Sequence, residues 1–202
     1  MAANLLRNPL RFLHARTLLS LLLVPLAACG LSGQAGAQVT AIYSFTGGND
    51  GDGPSFPPIQ ASDGNLYGIA DGGANGYGVL YRCTLGGSLT PLVEFPGSGA
   101  SSGSSGPLTQ ASNGYLYGTD GAAGADGILF QSSLAGSASS VYSFTGGSDG
   151  IASGPDLLQG PNEYLYGTSI YGGTLTSGSW GIVFKIDLNG NFSIVHSFNG
   201  SR

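Results

Sequence analysis

Gly99-Ala-Ser101-Ser-Gly103 satisfies the G-x-S-x-G pattern of a hydrolase nucleophile, and Asp126 and His196 follow it in the chain order such a triad uses. An elbow of that kind needs a strand before the serine and a helix after it. Ser101 instead lies in a glycine- and serine-rich run, Gly97 to Gly106, which reads as a low-complexity loop, so chance accounts for the match. His196 is the sole histidine beyond residue 37, the one candidate for histidine acid–base or zinc chemistry. With Cys83 and His196 the sole Cys and His left beyond residue 37, a cluster of those metal ligands is excluded by count, and no cofactor is expected. Asn49-Asp50-Gly51-Asp52-Gly53 offers carboxylates on a tight turn, as calcium prefers, but lacks the distant Glu of an EF-hand and reads more plainly as a solvated Asp-Gly turn. Eleven acids keep glycoside hydrolysis open; Asp71 and Asp120 are the acids best placed for it.

Those two aspartates hold their places because the chain repeats. Leu66-Tyr67-Gly68, Leu116-Tyr117-Gly118 and Leu165-Tyr166-Gly167 share one beat with Tyr43-Ser44-Phe45, Val93-Glu94-Phe95, Tyr142-Ser143-Phe144 and His196-Ser197-Phe198. The copies run 43–92, 93–141 and 142–195, with a fourth beginning at 196–202. His196 thus replaces a strand aromatic, which marks a packing position. Gln60, Gln110 and Gln159 keep the same beat, and either line an inner channel or bond backbone between units. Trp180 aligns with Tyr77 and Asp126, for stacking on a sugar or, more simply, for packing. Each copy reads as four short strands. Strand a ends in Pro58-Ile-Gln-Ala61 and an Asp-Gly hairpin turn follows; strand b carries Leu-Tyr-Gly; a glycine-rich loop leads to strand c, Val79 to Cys83; and Gly86-Gly87 turns into strand d, Leu89 to Phe95. No helix is expected after residue 37, since no apolar period of 3.6 residues persists there. Four antiparallel strands in about 50 residues is the content of a β-propeller blade, whose two apolar faces are buried only between neighbours.

The run SFTGGNDG, then QASDGNLYG, GVLY, GGSL and a closing Phe, resembles the Gloeo/Verruco tandem repeat, the choice-of-anchor family of exported bacterial proteins, over residues 39–202. The resemblance implies an exported, propeller-like array without an assigned activity, often tethered by a C-terminal anchor that this chain does not show after Arg202.

The fold expected is therefore all-β, a partial propeller of three four-stranded antiparallel blades preceded by one leading strand, Val39 to Phe45. Three blades fall below the four that rings usually need, and the last already owns its fourth strand. Either the frame is truncated or an open arc pairs with another chain, because bare sheet faces invite association.

Arg7, Arg11 and Arg16 precede a twelve-residue, mostly apolar run, Thr17 to Ala28, which suits a secretory signal and is too short to span a membrane. Cleavage after Ala35-Gly36-Ala37 would make residues 1–37 a signal peptide and 38–202 the repeat domain. The alternative is a lipoprotein signal, 1–28, with Cys29 lipidated and the protein held on a membrane by that anchor. Either route leaves Cys83 without an internal disulfide partner. Beyond residue 37, three basic residues face eleven acids, so phosphate neutralisation and nucleic-acid binding are excluded. The 37 Gly and 10 Pro disfavour helices, while 10 Tyr and 9 Phe supply core material that a disordered chain lacks. The expected function is that of an exported, non-enzymatic module in the cell envelope or outside it, binding protein or glycan. The alternative is a propeller enzyme acting on extracellular polysaccharide with loop carboxylates as acid and base.

Overall fold

The computed structural model describes residues 39–54, 56–97, 106–121, 123, 126–152, 156–173 and 180–200. The segment expected to be a signal, with Cys29 and Ala37, and Ser101 lie outside them. The repeat unit from Thr40 onward is a compact body of its own, all-β, with no helix among the described residues.

Three antiparallel sheets follow one another in chain order. The first contains β1 (Gly53–Pro54), β2 (Ile59–Gln60), β3 (Leu66–Asp71), β4 (Val79–Cys83) and β5 (Leu89–Glu94). The second contains β6 (Thr109–Gln110), β7 (Leu116–Asp120), β8 (Ile128–Ser132) and β9 (Ala138–Ser143). The third contains β10 (Leu158–Gln159), β11 (Leu165–Ser169), β12 (Ile182–Ile186) and β13 (Phe192–Ser197). Each is the expected a-b-c-d meander, paired only with its own neighbours, as a propeller blade is.

One detail departs from expectation. Val39 to Phe45 joins no sheet; the extra strand is β1, which pairs with the far end of β3 and makes the first sheet five-stranded. The leading segment lacks a strand c beside it to share a ladder, so only its side chains are used: Tyr43 and Phe45 pack on the first sheet beside Tyr81 and Cys83. The hairpin turns between strands a and b of a sheet are three residues long, as in Ser62-Asp63-Gly64. Ala61 N–H bonds Asn65 C=O, Gly64 N–H bonds Ala61 C=O, and Gly64 alone has a positive φ, +82°. That is a type I turn closed by a left-handed residue, where glycine removes the Cβ clash. The same pattern closes the c–d turns at Gly87, Gly136 and Gly190.

Strand side chains alternate between faces, so each central sheet feeds two cores. Tyr67, Ile69 and Leu80 of the first sheet meet Leu116 and Phe130 of the second. Tyr117 and Leu129 of the second meet Leu165, Ile182, Phe184 and Ile186 of the third. The apolar runs in strands b and c are thereby explained: β7 and β8 are covered on both faces at the two internal seams, and β3 and β4 by the second sheet on one face and by Tyr43 and Phe45 on the other.

Candidate interaction surface

The motif Leu-Tyr-Gly serves three separate needs. Leu116 and Leu165 are fully buried against the preceding sheet. Tyr67 and Tyr117 turn the other way, fully buried against the following one, and reach back along their own hairpin. The Tyr67 hydroxyl donates to Asp63 at 2.8 Å, and Asn113 and Asn162 donate to the Tyr117 and Tyr166 hydroxyls at 2.8 and 3.0 Å. The glycine leaves room for a ring on strand c: a Cβ at Gly118 would lie 2.9 Å from Phe130 Cζ, and one at Gly167 would lie 2.5 Å from Phe184 Cζ. Across that ring lies a phenylalanine from the unit before, with centroids 5.3 Å apart for Phe45 and Tyr81, 5.1 Å for Phe95 and Phe130, and 5.8 Å for Phe144 and Phe184.

The glutamines bridge the seams. Gln110 accepts from Ser62 N–H at 2.8 Å and donates to the Ser62 hydroxyl at 3.1 Å; Gln159 treats Ser112 alike, at 2.8 and 3.0 Å. Gln60 and Gln110 also donate within their own turns, to Gly64 and Gly114 C=O, both at 3.0 Å. Thr109 adds a bond from its hydroxyl to Leu157 C=O.

A second lock, in copies one and three, has a sequence signal that spacing alone did not reveal: Tyr, Thr three residues on, Asp four further. Asp50 accepts from the Tyr43 hydroxyl at 2.7 Å, Thr46 N–H at 2.9 Å and the Thr46 hydroxyl at 2.5 Å. Asp149 accepts from Tyr142, Thr145 N–H and the Thr145 hydroxyl at 2.9, 3.0 and 2.6 Å. Both aspartates are buried, so the solvated-turn reading of Asp50 gives way to a buried, bonded carboxylate. The Thr46 hydroxyl, then Tyr43, hold the Asp50 carboxyl far below its ordinary value against opposing desolvation. Burial pushes Asp149 up, but bonds from the Thr145 hydroxyl, Tyr142 and the Thr145 amide outweigh it and leave the carboxyl below its ordinary value. Burial, reinforced by Asp149, pushes Tyr142 up to about 12. Copy two lacks all three partners together, with Val93, Pro96 and no aspartate.

Asp120 is buried at the end of β7 and Asp71 half-buried at the end of β3. Glu94 ends β5 where the other copies have Ser143 and Ser197, and its Oε2 is buried against Gly73 with no hydrogen-bond partner among the described residues. Among the described residues no three His, Cys, Asp or Glu side chains gather as metal ligands. Cys83 is a buried free thiol, pushed up by desolvation.

Outward-facing apolar side chains concentrate on the third unit. Leu158, Ile170, Tyr171, Trp180, Val195 and Phe198 are all exposed. Trp180 sits beneath Gly200 as Tyr77 sits beneath Gly97, so one face of its ring is packed while the residue remains about half exposed. His196 is also exposed, its ring edge-on to Phe198 at 4.9 Å.

This architecture defines an array of blade-like sheets bound by recurrent side-chain locks. The model of the Gloeobacter/Verrucomicrobia repeat matches residues 32–202, and the chain belongs to that family. It is a repeat module of that class. No curated protein matches it.

Proposed function

We propose that this chain is an exported, non-enzymatic interaction module that binds a protein or glycan at the cell surface through the rim of its third unit. The observation that carries the reading is the exposure of Ile170, Tyr171 and Trp180 on the loop between β11 and β12, which is longer than its counterpart between β3 and β4. Exposed aromatic and aliphatic side chains on a loop held by a rigid sheet suit recognition. Asp50, Asp63, Asp149 and Asp187 are each engaged by neighbours in their own loops, which supports a structural use of much of the acid inventory. Export rests on the basic residues and apolar run ahead of residue 37, with Cys29 or Ala37 as the exit.

The test is retention of the purified full chain on envelope polysaccharide and, separately, on envelope protein. A Tyr171→Ser, Ile170→Ser double variant should lose at least tenfold in affinity while its melting temperature stays put. Release of shortened saccharide would transfer the assignment to a polysaccharide enzyme. Palmitate labelling that disappears in Cys29→Ser would assign the lipoprotein exit; a mature protein beginning at Gln38 would assign the other.

A further inference from the structure

At both internal seams the closing strand drops one residue from its ladder and sets it against a turn glycine of the next sheet. β5 skips Leu92, whose carbonyl lies 3.1 Å from a Cβ built at Gly136; β9 skips Val141, whose carbonyl lies 2.7 Å from one built at Gly190. Val195, skipped by β13, is the third of this series and is 52% exposed. Phe198 continues Phe95 and Phe144, which are 4% and 5% exposed, yet is itself 47% exposed. On the same face Tyr166, Thr168 and Val183 repeat Tyr67, Ile69 and Leu80, and Tyr117, Thr119 and Leu129, all six of which are buried. The third sheet thus presents a complete seam face.

The first sheet presents the opposite half. Leu66, Gly68, Tyr81 and the turn glycine Gly87 repeat the receiving series of the second sheet, Leu116, Gly118, Phe130 and Gly136. Ile42 rests on Gly87 and Phe45 on Tyr81, the places Leu92 and Phe95 hold at the next seam. Nothing among the described residues supplies the rest of a preceding sheet. A cavity of about 150 Å³ remains, lined among others by Pro58, Leu66, Tyr81, Cys83 and Leu89.

We propose that the outer face of the third sheet seats on the first sheet of a second copy of this chain, head to tail, with Val195 and Phe198 taking the places of Ile42 and Phe45. Ile42 and Phe45 share no ladder bonds with the sheet, which makes them displaceable. Pro161 stands where Ser62 and Ser112 offer an N–H and a hydroxyl to glutamine, so Gln60 finds no such partner and this seam is weaker than the internal two. Two such seams join the described sheets of a pair of chains, three from each, into six, within the four to eight of known rings. The proposal is independent of the rim reading above, since it uses a different surface.

Sedimentation of the full chain from about 1 to 100 µM, a range set for a reversible contact, should show a mass that rises to twice the monomer and stops. Thr168→Arg blocks one half of the seam at an exposed position, and Pro58→Arg blocks the other. Each variant alone should remain monomeric, and their mixture should form a one-to-one pair through the remaining intact faces. Phe45→Ala, which weakens the displaced segment, should tighten association severalfold. A wild-type chain that stays monomeric, either single variant that still pairs with itself, or weaker association in Phe45→Ala with the fold intact by circular dichroism would each overturn the proposal.

Discussion

A carboxylate that accepts three hydrogen bonds while shielded from water is stabilised in its charged form, and Asp149 is in that position. Asp149→Asn should therefore lower stability by about 1–2 kcal/mol at pH 7, read by urea denaturation. The sign with pH follows from the direction of the shift. A carboxyl whose folded value is depressed contributes stability above its unfolded value near 3.8, and loses that contribution as pH falls through the folded value. The gap between wild type and Asp149→Asn should close below about pH 4. Tyr142 acts at the other end. Its phenol is raised from 10.0 to about 12, so its contribution is intact below pH 10 and lost as pH rises through about 12. Stability should be level near neutrality and fall on both sides, and Tyr142→Phe should flatten the alkaline limb. The Tyr-Thr-Asp signature is present in the sequence twice, but its meaning is not legible there, because only the folded loop brings residues seven apart into contact.

The hairpins decide stability at the scale of the element. Glu163 occupies the left-handed position that Gly64 and Gly114 hold in the first two copies, with φ of +66° against +82° and +84°. A side chain there meets its own backbone, so Glu163→Gly should stabilise the chain by about 1 kcal/mol, seen as a higher thermal midpoint. Glycine in the middle of strand b is kept for a different reason, since the clash there is with a neighbouring ring. Gly167→Ala should cost about 1–3 kcal/mol by forcing the Phe184 ring aside, measured in the same melt. The four-strand content of each copy was legible from alternating apolar residues and turn glycines. The length of the turns was not, because Asp-Gly suits two- and three-residue loops alike and the backbone bonds choose between them.

At the scale of the whole molecule, the second sheet is covered on both faces by its neighbours and the third on one. Protection in an array follows from such neighbour contacts. Amide exchange of the unassociated chain should be slowest in β7 and β8 and faster in β11 to β13, with Gln159→Ala loosening the third sheet further. Equal protection of second and third sheets at high dilution would contradict this ordering.

Recurrence, strand content and the absence of helix in the described body follow from the sequence alone, since a period near 50 residues, its glycines and its alternating apolar positions act locally and repeat identically. Which glutamine bridges which serine, that Asp50 is buried rather than solvated, and that Val39 to Phe45 stays outside every sheet were decided only by tertiary structure. Those outcomes depend on what the fold places beside each residue, across a seam for the glutamines and within its own loop for Asp50, and a linear pattern does not carry that placement.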